Sequence, residues 1–370
     1  MISVLHINAG SKIWGGVETF CLTLYRNIDR NRVQFDFLTP NVSTYESVRE
    51  EFLSYGGNIY QFGINSSSLV GKIKLYRKLK SFFETHHYDI IHINAGVLLF
   101  NAVVAAACRK YTRSKIFVHS HSNGGRNFLK ELFSLPLKNF LVRNADVLLA
   151  CSKSSAEYIF PSKEAAQAHI INNGIDVGEF SWNAEIRQQI REKFGLQNKY
   201  VVGHVGRFLL PKNHRFLIEI FAKVKELRSD AVLILIGAGK EIDNIKDLVD
   251  KKNLTSSVFF LGQRSDVAAF YQAMDVFVLP SLFEGFGIVN IEAQTSGLKC
   301  VVSDVVPEEV NVTGNLVRLP LNGSLDIWVN EILNVPCSRR DYSDVIRRAG
   351  FDILSSAKEV EALYLECVKR

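Results

Sequence analysis

Short apolar runs alternate with helix-like stretches from one end of this chain to the other. That alternation restricts the fold more than any other feature, because strands separated by crossover helices pair in parallel and bury both sheet faces. In the first half, SVLHIN (Ser3–Asn8), VQFDFLT (Val33–Thr39), Asn58–Phe62, DIIHIN (Asp89–Asn94), KIFVHS (Lys115–Ser120) and VLLAC (Val147–Cys151) read as six strands of one sheet. GGVETFCLTLYRNI (Gly15–Ile28) and the small-residue stretch NAVVAAACRKY read as helices between them. AHIINNGID then looks like a strand ending in a turn, and a polar, charged segment (Glu185–Lys199) follows. A second series begins at YVVGHV (Tyr200–Val205) and continues through VLILIG (Val232–Gly237), VFFLG (Val258–Gly262), VFVLPS and CVVSD (Cys300–Asp304). The expected division is a first α/β domain over 1–169, a second over 170–345, and a C-terminal helix over 346–370.

A chain of 370 residues suits two cores better than one, and 47% hydrophobic with 22% charged residues is ordinary for a globular protein. No apolar run approaches the ~20 residues that span a bilayer. MISVLHINAG has no basic leader and enters a strand pattern at once, so no signal peptide is read and a cytoplasmic location is expected. The six cysteines (Cys21, Cys108, Cys151, Cys300, Cys337, Cys367) are scattered without a CxxC pair, as reduced core thiols are. No metal site is expected from them. Charge is uneven: residues 1–165 carry 20 Lys/Arg against 12 Asp/Glu, the remainder 24 against 26. The basic half points to an anionic partner such as a membrane surface or an anionic acceptor, the alternative being a solvated basic surface with none.

Within this frame one stretch stands out, VFVLPSLFEGFGIVNIEAQTSGLKC (Val276–Cys300). An apolar strand runs into a glycine-broken loop, EGFG, and then into a helix ended by Gly297. Such a unit offers free backbone N–H groups and a positive helix end to a phosphate. Glu284 and Glu292 cannot bind a phosphate, but they suit sugar hydroxyls, which donate to carboxylates. Phosphate donors beside hydroxyl acceptors suggest a nucleotide sugar; an ordinary βα unit with two surface glutamates is the alternative. A second constellation is GHVGRFLLPKNH (Gly203–His214), where a strand ends at Gly206-Arg207 and Lys212 follows in the loop. An Arg fork and a Lys point charge facing one site would neutralise a diphosphate as it leaves.

EGFGIVNIEA resembles the Glu-x7-Glu signature of family-4 retaining glycosyltransferases with two Rossmann-like domains (the GT-B fold). The other motifs follow in that family's order: a Gly-Gly-x-Glu loop (Gly15, Gly16), a histidine loop in VHSHSNGG, and the Arg/Lys element. The resemblance implies two such domains facing across a cleft, with the C-terminal helix crossing back to the first. It implies transfer of a sugar from a nucleotide sugar, a UDP-sugar being favoured, to a hydroxyl of a saccharide or lipid-linked saccharide, with retention, as in bacterial exopolysaccharide, capsule or O-antigen synthesis. By the same resemblance Arg207 and Lys212 clamp the diphosphate, and His121 lines the reaction centre, with His119 second. Glu284 meets the donor sugar, the backbone of Gly285, Phe286, Gly287 and Ile288 holds sugar and phosphate, and Glu292 accepts from ribose hydroxyls. Gln263 and Arg264 lie where the base would pair with backbone groups, Ala268–Ala273 serving as packing; Gly15 and Gly16 approach the donor phosphates. His92, Asn94 and His119 are assigned to the acceptor side.

IVNIEA replaces a more usual leucine- and proline-rich stretch, and SDVVPEEV lacks a glycine often seen there. No cofactor, metal or nucleic acid is expected, and LILIGAGKEI lacks the third glycine of a dinucleotide loop. The competing readings are a non-catalytic nucleotide-sugar-binding protein and a UDP-sugar epimerase of the same fold. Two basic amphipathic stretches, Gly71–Phe83 and Arg126–Val142, could lie on an anionic membrane, or could be core-facing helices with solvated lysines.

Overall fold

A computed structural model describes residues 1–8, 16–41, 48–94, 96–121, 128–336 and 338–369, with backbone alone over 128–133. The chain divides into two units, Met1–Gly174 with Ile353–Arg370, and Ile175–Asp352. Each is a wholly parallel sheet with helices on both faces. The first sheet holds β1 (Ile2–Asn8), β2 (Val33–Thr39), β3 (Ile59–Gln61), β4 (Ile90–Asn94), β5 (Lys115–Ser120), β6 (Val147–Ala150) and β7 (His169–Ile170). Their order is β3-β2-β1-β4-β5-β6-β7. The second holds β8 (Tyr200–Val205), β9 (Ala231–Ile236), β10 (Val258–Gly262), β11 (Val276–Leu279), β12 (Lys299–Ser303) and β13 (Leu316–Leu319), ordered β10-β9-β8-β11-β12-β13. Both are Rossmann-like, doubly wound sheets. The winding reverses between β1 and β4 in one and between β8 and β11 in the other, and ligands of such sheets bind beyond the strand ends at that reversal.

Strand pleating explains how the first sheet is filled. Leu5, Ile7, Ile91, Ile93, Ile116 and Val118 face one set of helices. Val4, Ile90 and Phe117 face the other, together with Phe20, Leu24, Ile353, Val360 and Tyr364. The second face turns polar towards the strand ends, where His6, Asn8, His92, Asn94 and His119 continue it, all buried. The last of the covering helices, Ile353–Lys369, belongs to the first unit. It begins after Asp352, which bridges to Ile175, while Ser343–Arg348 forms a separate short helix in the second unit.

Two strands differ from expectation. His169–Ile170 pairs with Leu149 and Ala150, adding a seventh strand to the first sheet and placing the division after Gly174. β13 was not anticipated: Arg318 interrupts its short apolar run, as an edge strand tolerates. No helix among the described residues is long and apolar enough to cross a membrane.

Candidate functional site

In the second unit, β8 and β11 flank the reversal, and the loops that leave their ends meet. Leu282 N–H donates to the Pro211 carbonyl at 2.8 Å. Lys212 Nζ donates to Glu284 Oε2 at 2.5 Å, with only 18% and 10% of the two side chains exposed. The Ser281 hydroxyl donates to the same carboxylate oxygen at 3.1 Å, and the Ser303 hydroxyl donates to the Ser281 carbonyl at 2.6 Å. Removing one member of so sheltered a pair strands the other's charge, at a cost of about 3–5 kcal/mol. A ligand that brings an anion to Lys212 and hydroxyl donors to Glu284 can replace both halves of the interaction. Arg207, in the same β8 loop as Lys212, is exposed and forms no ion pair among the described residues.

Gly287 shapes the loop. Its φ is +75°, and a Cβ there would lie 2.8 Å from Asn290 Nδ2 and 2.9 Å from Glu284 Cγ. The N–H groups of Phe286, Gly287 and Ile288 donate to no acceptor among the described residues. Those of Asn290 and Ile291 are already taken by the Gly287 and Ile288 carbonyls. The helix that follows, Val289–Thr295, has only seven residues, so the positive helix end expected from the sequence is weak. Loop N–H groups and cations remain as anion donors.

Glu292 lies on that helix and accepts from the Tyr271 hydroxyl at 2.8 Å. Burial pushes its pKa up to about 7; Tyr271 opposes the shift and the charge of Glu179 adds to it. Tyr271 falls inside the stretch assigned to packing, so that assignment is corrected: it is fully buried yet its hydroxyl donates to the Glu292 carboxylate. Beyond the end of β10, Gln263 is exposed. Arg264 forks onto Asp266 with two bonds of 2.7 Å and lies 4.6 Å from the Phe270 ring centroid, which engages its side chain.

In the first unit, the strands at the reversal carry histidines in register. His6 of β1 is paired with His92 of β4, and Asn94 with His119 of β5. His92 Nδ1 bonds to the Tyr364 hydroxyl at 2.5 Å and Nε2 to His119 Nδ1 at 3.3 Å. Asn94 Nδ2 reaches His6 Nδ1 at 3.0 Å, and Asn94 Oδ1 reaches His121 Nε2 at 3.2 Å. The rings of His119 and His121 lie 4.0 Å apart. Burial lowers all four histidine pKa values, to about 3 for His6, about 4 for His121, and well below the ordinary value for His92 and His119. The network is therefore neutral near pH 7. His92, Asn94 and His119 are sealed, at 0%, 1% and 0% exposure, behind the surface the sequence assigned them to. His121, at the end of β5, is partly exposed. Gly16 opens the helix Gly16–Asn27 with nothing within 4 Å of where a Cβ would stand. Gly15 and residues 122–127 of the histidine loop lie outside the described residues.

Comparison with known proteins decides the family. Residues 14–179 match the Glycosyltransferase Family 4 model, and residues 186–323 match the model for Glycosyl transferases group 1. The Bacillus subtilis (strain 168) protein that carries the name glycosyltransferase EpsF is 31% identical over 363 residues, 94% of this chain and 92% of that one. The chain is a family-4 glycosyltransferase. The UDP-Gal:alpha-D-GlcNAc-diphosphoundecaprenol alpha-1,3-galactosyltransferase of Escherichia coli is 28% identical over 324 residues, covering 80% of this chain and 79% of that one. Among solved structures, Anabaena Alr3699/HepE in complex with UDP and glucose superposes with a TM-score of 0.70 at 21% identity, covering 100% of this chain and 98% of that one. That likeness is one of fold, and it is GT-B.

In this glycosyltransferase the sequence reading missed the extent of the first-unit network. A signal for it was present: His6-Ile7-Asn8-Ala9-Gly10 recurs letter for letter as His92-Ile93-Asn94-Ala95-Gly96. Both copies end strands at the reversal.

Proposed function

We propose that this glycosyltransferase moves a sugar from a UDP-sugar, with retention, to a hydroxyl of a lipid-diphosphate-linked or other saccharide acceptor in bacterial surface-polysaccharide assembly. The observation that carries the reading is the Lys212–Glu284 pair, which joins a diphosphate-seeking cation to a hydroxyl-seeking carboxylate beside unpaired loop N–H groups. Lys212 and the uncommitted Arg207 take the diphosphate and stabilise charge as it departs. Glu284 orients the sugar, Glu292 with Tyr271 takes the ribose hydroxyls, and Gln263 with the backbone beside Arg264 takes the base. His121 touches the transferred sugar. A relative whose name specifies UDP-galactose and a diphosphoundecaprenol-linked acceptor, and a neighbour bound to UDP and glucose, support this donor and acceptor.

A membrane-linked acceptor also fits the helix Leu69–Phe83. It exposes Leu69 (68%), Val70 (62%) and Ile73 (49%) beside Lys74, Arg77 and Lys78, while Leu75, Leu79 and Phe82 are buried. Apolar side chains among cations suit an anionic bilayer surface. Of the second basic stretch, Leu135 and Phe140 are exposed and Leu141 is buried.

Thermal stabilisation by a panel of UDP-, GDP- and ADP-sugars tests the donor, with wild type and Glu292→Ala compared. A ligand of the native state raises stability by an amount set by its concentration over Kd. The expected result is a shift with UDP-sugars that Glu292→Ala reduces; no shift with any nucleotide defeats the reading. Transfer to a lipid-diphosphate saccharide, with the anomeric configuration of the product read by NMR, tests acceptor and retention. Isomerisation of the nucleotide sugar without an acceptor would favour an epimerase instead.

A further inference from the structure

The second sheet carries charge at both of its ends. The loops of the candidate site leave the C-terminal ends of β8 and β11. At the opposite end, Tyr200 and Lys299 begin β8 and β12, and Asp275 and Asn315 stand just before β11 and β13. These four help to line a cavity of about 780 Å³, a volume within the usual range of small-molecule sites. Seven Lys or Arg residues line it against one carboxylate, that of Asp275. The transfer reaction proposed above makes no use of it.

Counter-ions balance only part of this charge. Arg228 pairs with Asp230, and Lys299 with Glu331. Arg187 and Arg191 share Asp275, at 2.5 and 3.3 Å, and the Val201 N–H donates to the same carboxylate at 2.7 Å. Arg339, Arg340 and Lys199 form no ion pair among the described residues.

Arg339 is the member that points to a ligand. Its Nη1 donates to the carbonyls of Tyr271 at 3.2 Å and Ser296 at 3.3 Å, and its Cζ lies 4.4 Å from the Trp182 ring centroid. These contacts hold the guanidinium in place. Its Nη2 is buried and finds no acceptor among the described residues. Burial and the charge of Arg187 push its pKa down to about 9, with Asp275 opposing the shift and Arg191 adding to it, so it stays a cation near pH 7. Buried polar atoms are normally paired, and an exception calls for a missing partner. Nη2 can only donate, so that partner accepts. A water would satisfy the hydrogen bond but not the charge, because the one carboxylate already serves two guanidiniums.

We propose that this cavity binds a phosphate group, free or carried as a monoester, with Arg339 Nη2 as its buried donor and the exposed Arg340 and Lys199 as further cations. A phosphomonoester brings about −1.5 to −2 charges and three acceptor oxygens, which matches three unpaired cations better than the single charge of a carboxylate. A guanidinium edge suits such oxygens, and the volume leaves room for the organic part of an ester. The rival is a structural arginine that ties Tyr271 and Ser296 together and holds water at Nη2.

Calorimetric titration of the full chain with inorganic phosphate, and separately with a hexose 1-phosphate, reads the site at an ionic strength held constant with sodium chloride. Wild type should bind one equivalent saturably, in an event that survives Lys212→Gln at the other end of the sheet. Arg339→Lys keeps the charge but loses the second arm of the fork, and should weaken that event ~10-fold or more. Lys199→Ala combined with Arg340→Ala should weaken it as much. That pair alters only exposed side chains, so a folding defect cannot imitate the loss.

Tighter binding of the hexose 1-phosphate identifies an ester as the ligand, and equal binding identifies the free ion; both contain the group proposed. Four results overturn the proposal. Wild type takes up neither compound saturably; chloride displaces both as well as phosphate does, the mark of a merely basic surface; Arg339→Lys binds as wild type does, which leaves Arg339 a tether; or binding vanishes in Lys212→Gln alone, which puts the anion at the candidate site. None of these measurements depends on sugar transfer, so a failure of the enzymatic reading leaves this site to stand or fall alone.

Discussion

The polar groups at the two sheet reversals are built in opposite ways. Beyond β8 and β11 stand full charges, Lys212 against Glu284 with Arg207 exposed in the same loop, held in loops and partly open to water. Beyond β1, β4 and β5 stand neutral groups on the strands themselves, sealed and bonded to one another through Tyr364. Charges in loops suit a ligand that is itself charged and must be released. A neutral network fixed by strand register suits geometry, because nothing in it rearranges when an anion arrives. Under the proposed function, the second unit would neutralise charge and the first would orient.

The largest effect expected from this division is at Lys212. Lys212→Ala removes the cation to which the proposed function gives the leaving diphosphate and frees Glu284, and on that proposal kcat should drop about 10²- to 10³-fold. Steady-state assays with saturating donor check it. An equal loss from His6→Phe, which alters only the sealed network, would break the comparison.

Glu292 provides a test through pH. Its folded-state pKa of about 7 lies above the ordinary carboxylate value of 4.5. Its contribution to stability is therefore fully present below pH ~4.5 and is lost as pH rises through ~7. Glu292→Gln keeps an acceptor for Tyr271 without the charge. It should match wild type in acid and exceed it by roughly 3 kcal/mol near pH 8. Denaturant unfolding of both proteins across that range measures the difference, and a constant difference sinks the assignment. The lowered first-unit histidines have the opposite sign, since stability they confer above pH ~6.5 is lost as pH falls towards their folded values.

Gly287→Ala sharpens the contrast between site and scaffold. At φ +75°, with Asn290 and Glu284 in the way of a Cβ, alanine should cost about 1–3 kcal/mol and displace the Glu284 side chain. Activity should fall further than stability, read by comparing kcat/KM with the unfolding midpoint. A variant that loses neither shows that the loop yields.

Much of this was legible in the sequence because parallel strands buried on both faces leave continuous apolar runs. Val33–Thr39, Lys115–Ser120, Tyr200–Val205 and Val258–Gly262 are strands with the bounds their residues announce. Edge strands were less legible, because β7 is two residues long and β13 carries Arg318 in its run. At the site, the sequence named Lys212 and Glu284 from separate motifs; only the fold shows their 2.5 Å contact. Tyr271 and Tyr364 were hidden for a common reason. Each lies on a helix, where an aromatic among buried apolar neighbours reads as packing, and nothing local reveals that its hydroxyl meets Glu292 or His92.

The smallest effect tests whether the sealed network is scaffold alone. Tyr364→Phe keeps the ring that packs 5.2 Å from Phe117 and removes only the hydroxyl. His92 Nδ1, fully buried, loses its donor, and an unpaired buried acceptor costs about 1–3 kcal/mol. The loss falls near the lower end, since only an acceptor is left unpaired while the His92–His119 bond is kept. Unfolding of the first unit should therefore move by about 1 kcal/mol, while nucleotide-dependent stabilisation stays as in wild type. If donor binding weakened instead, the hydroxyl would be tied to the charged site, and the separation between an orienting unit and a neutralising one would not hold.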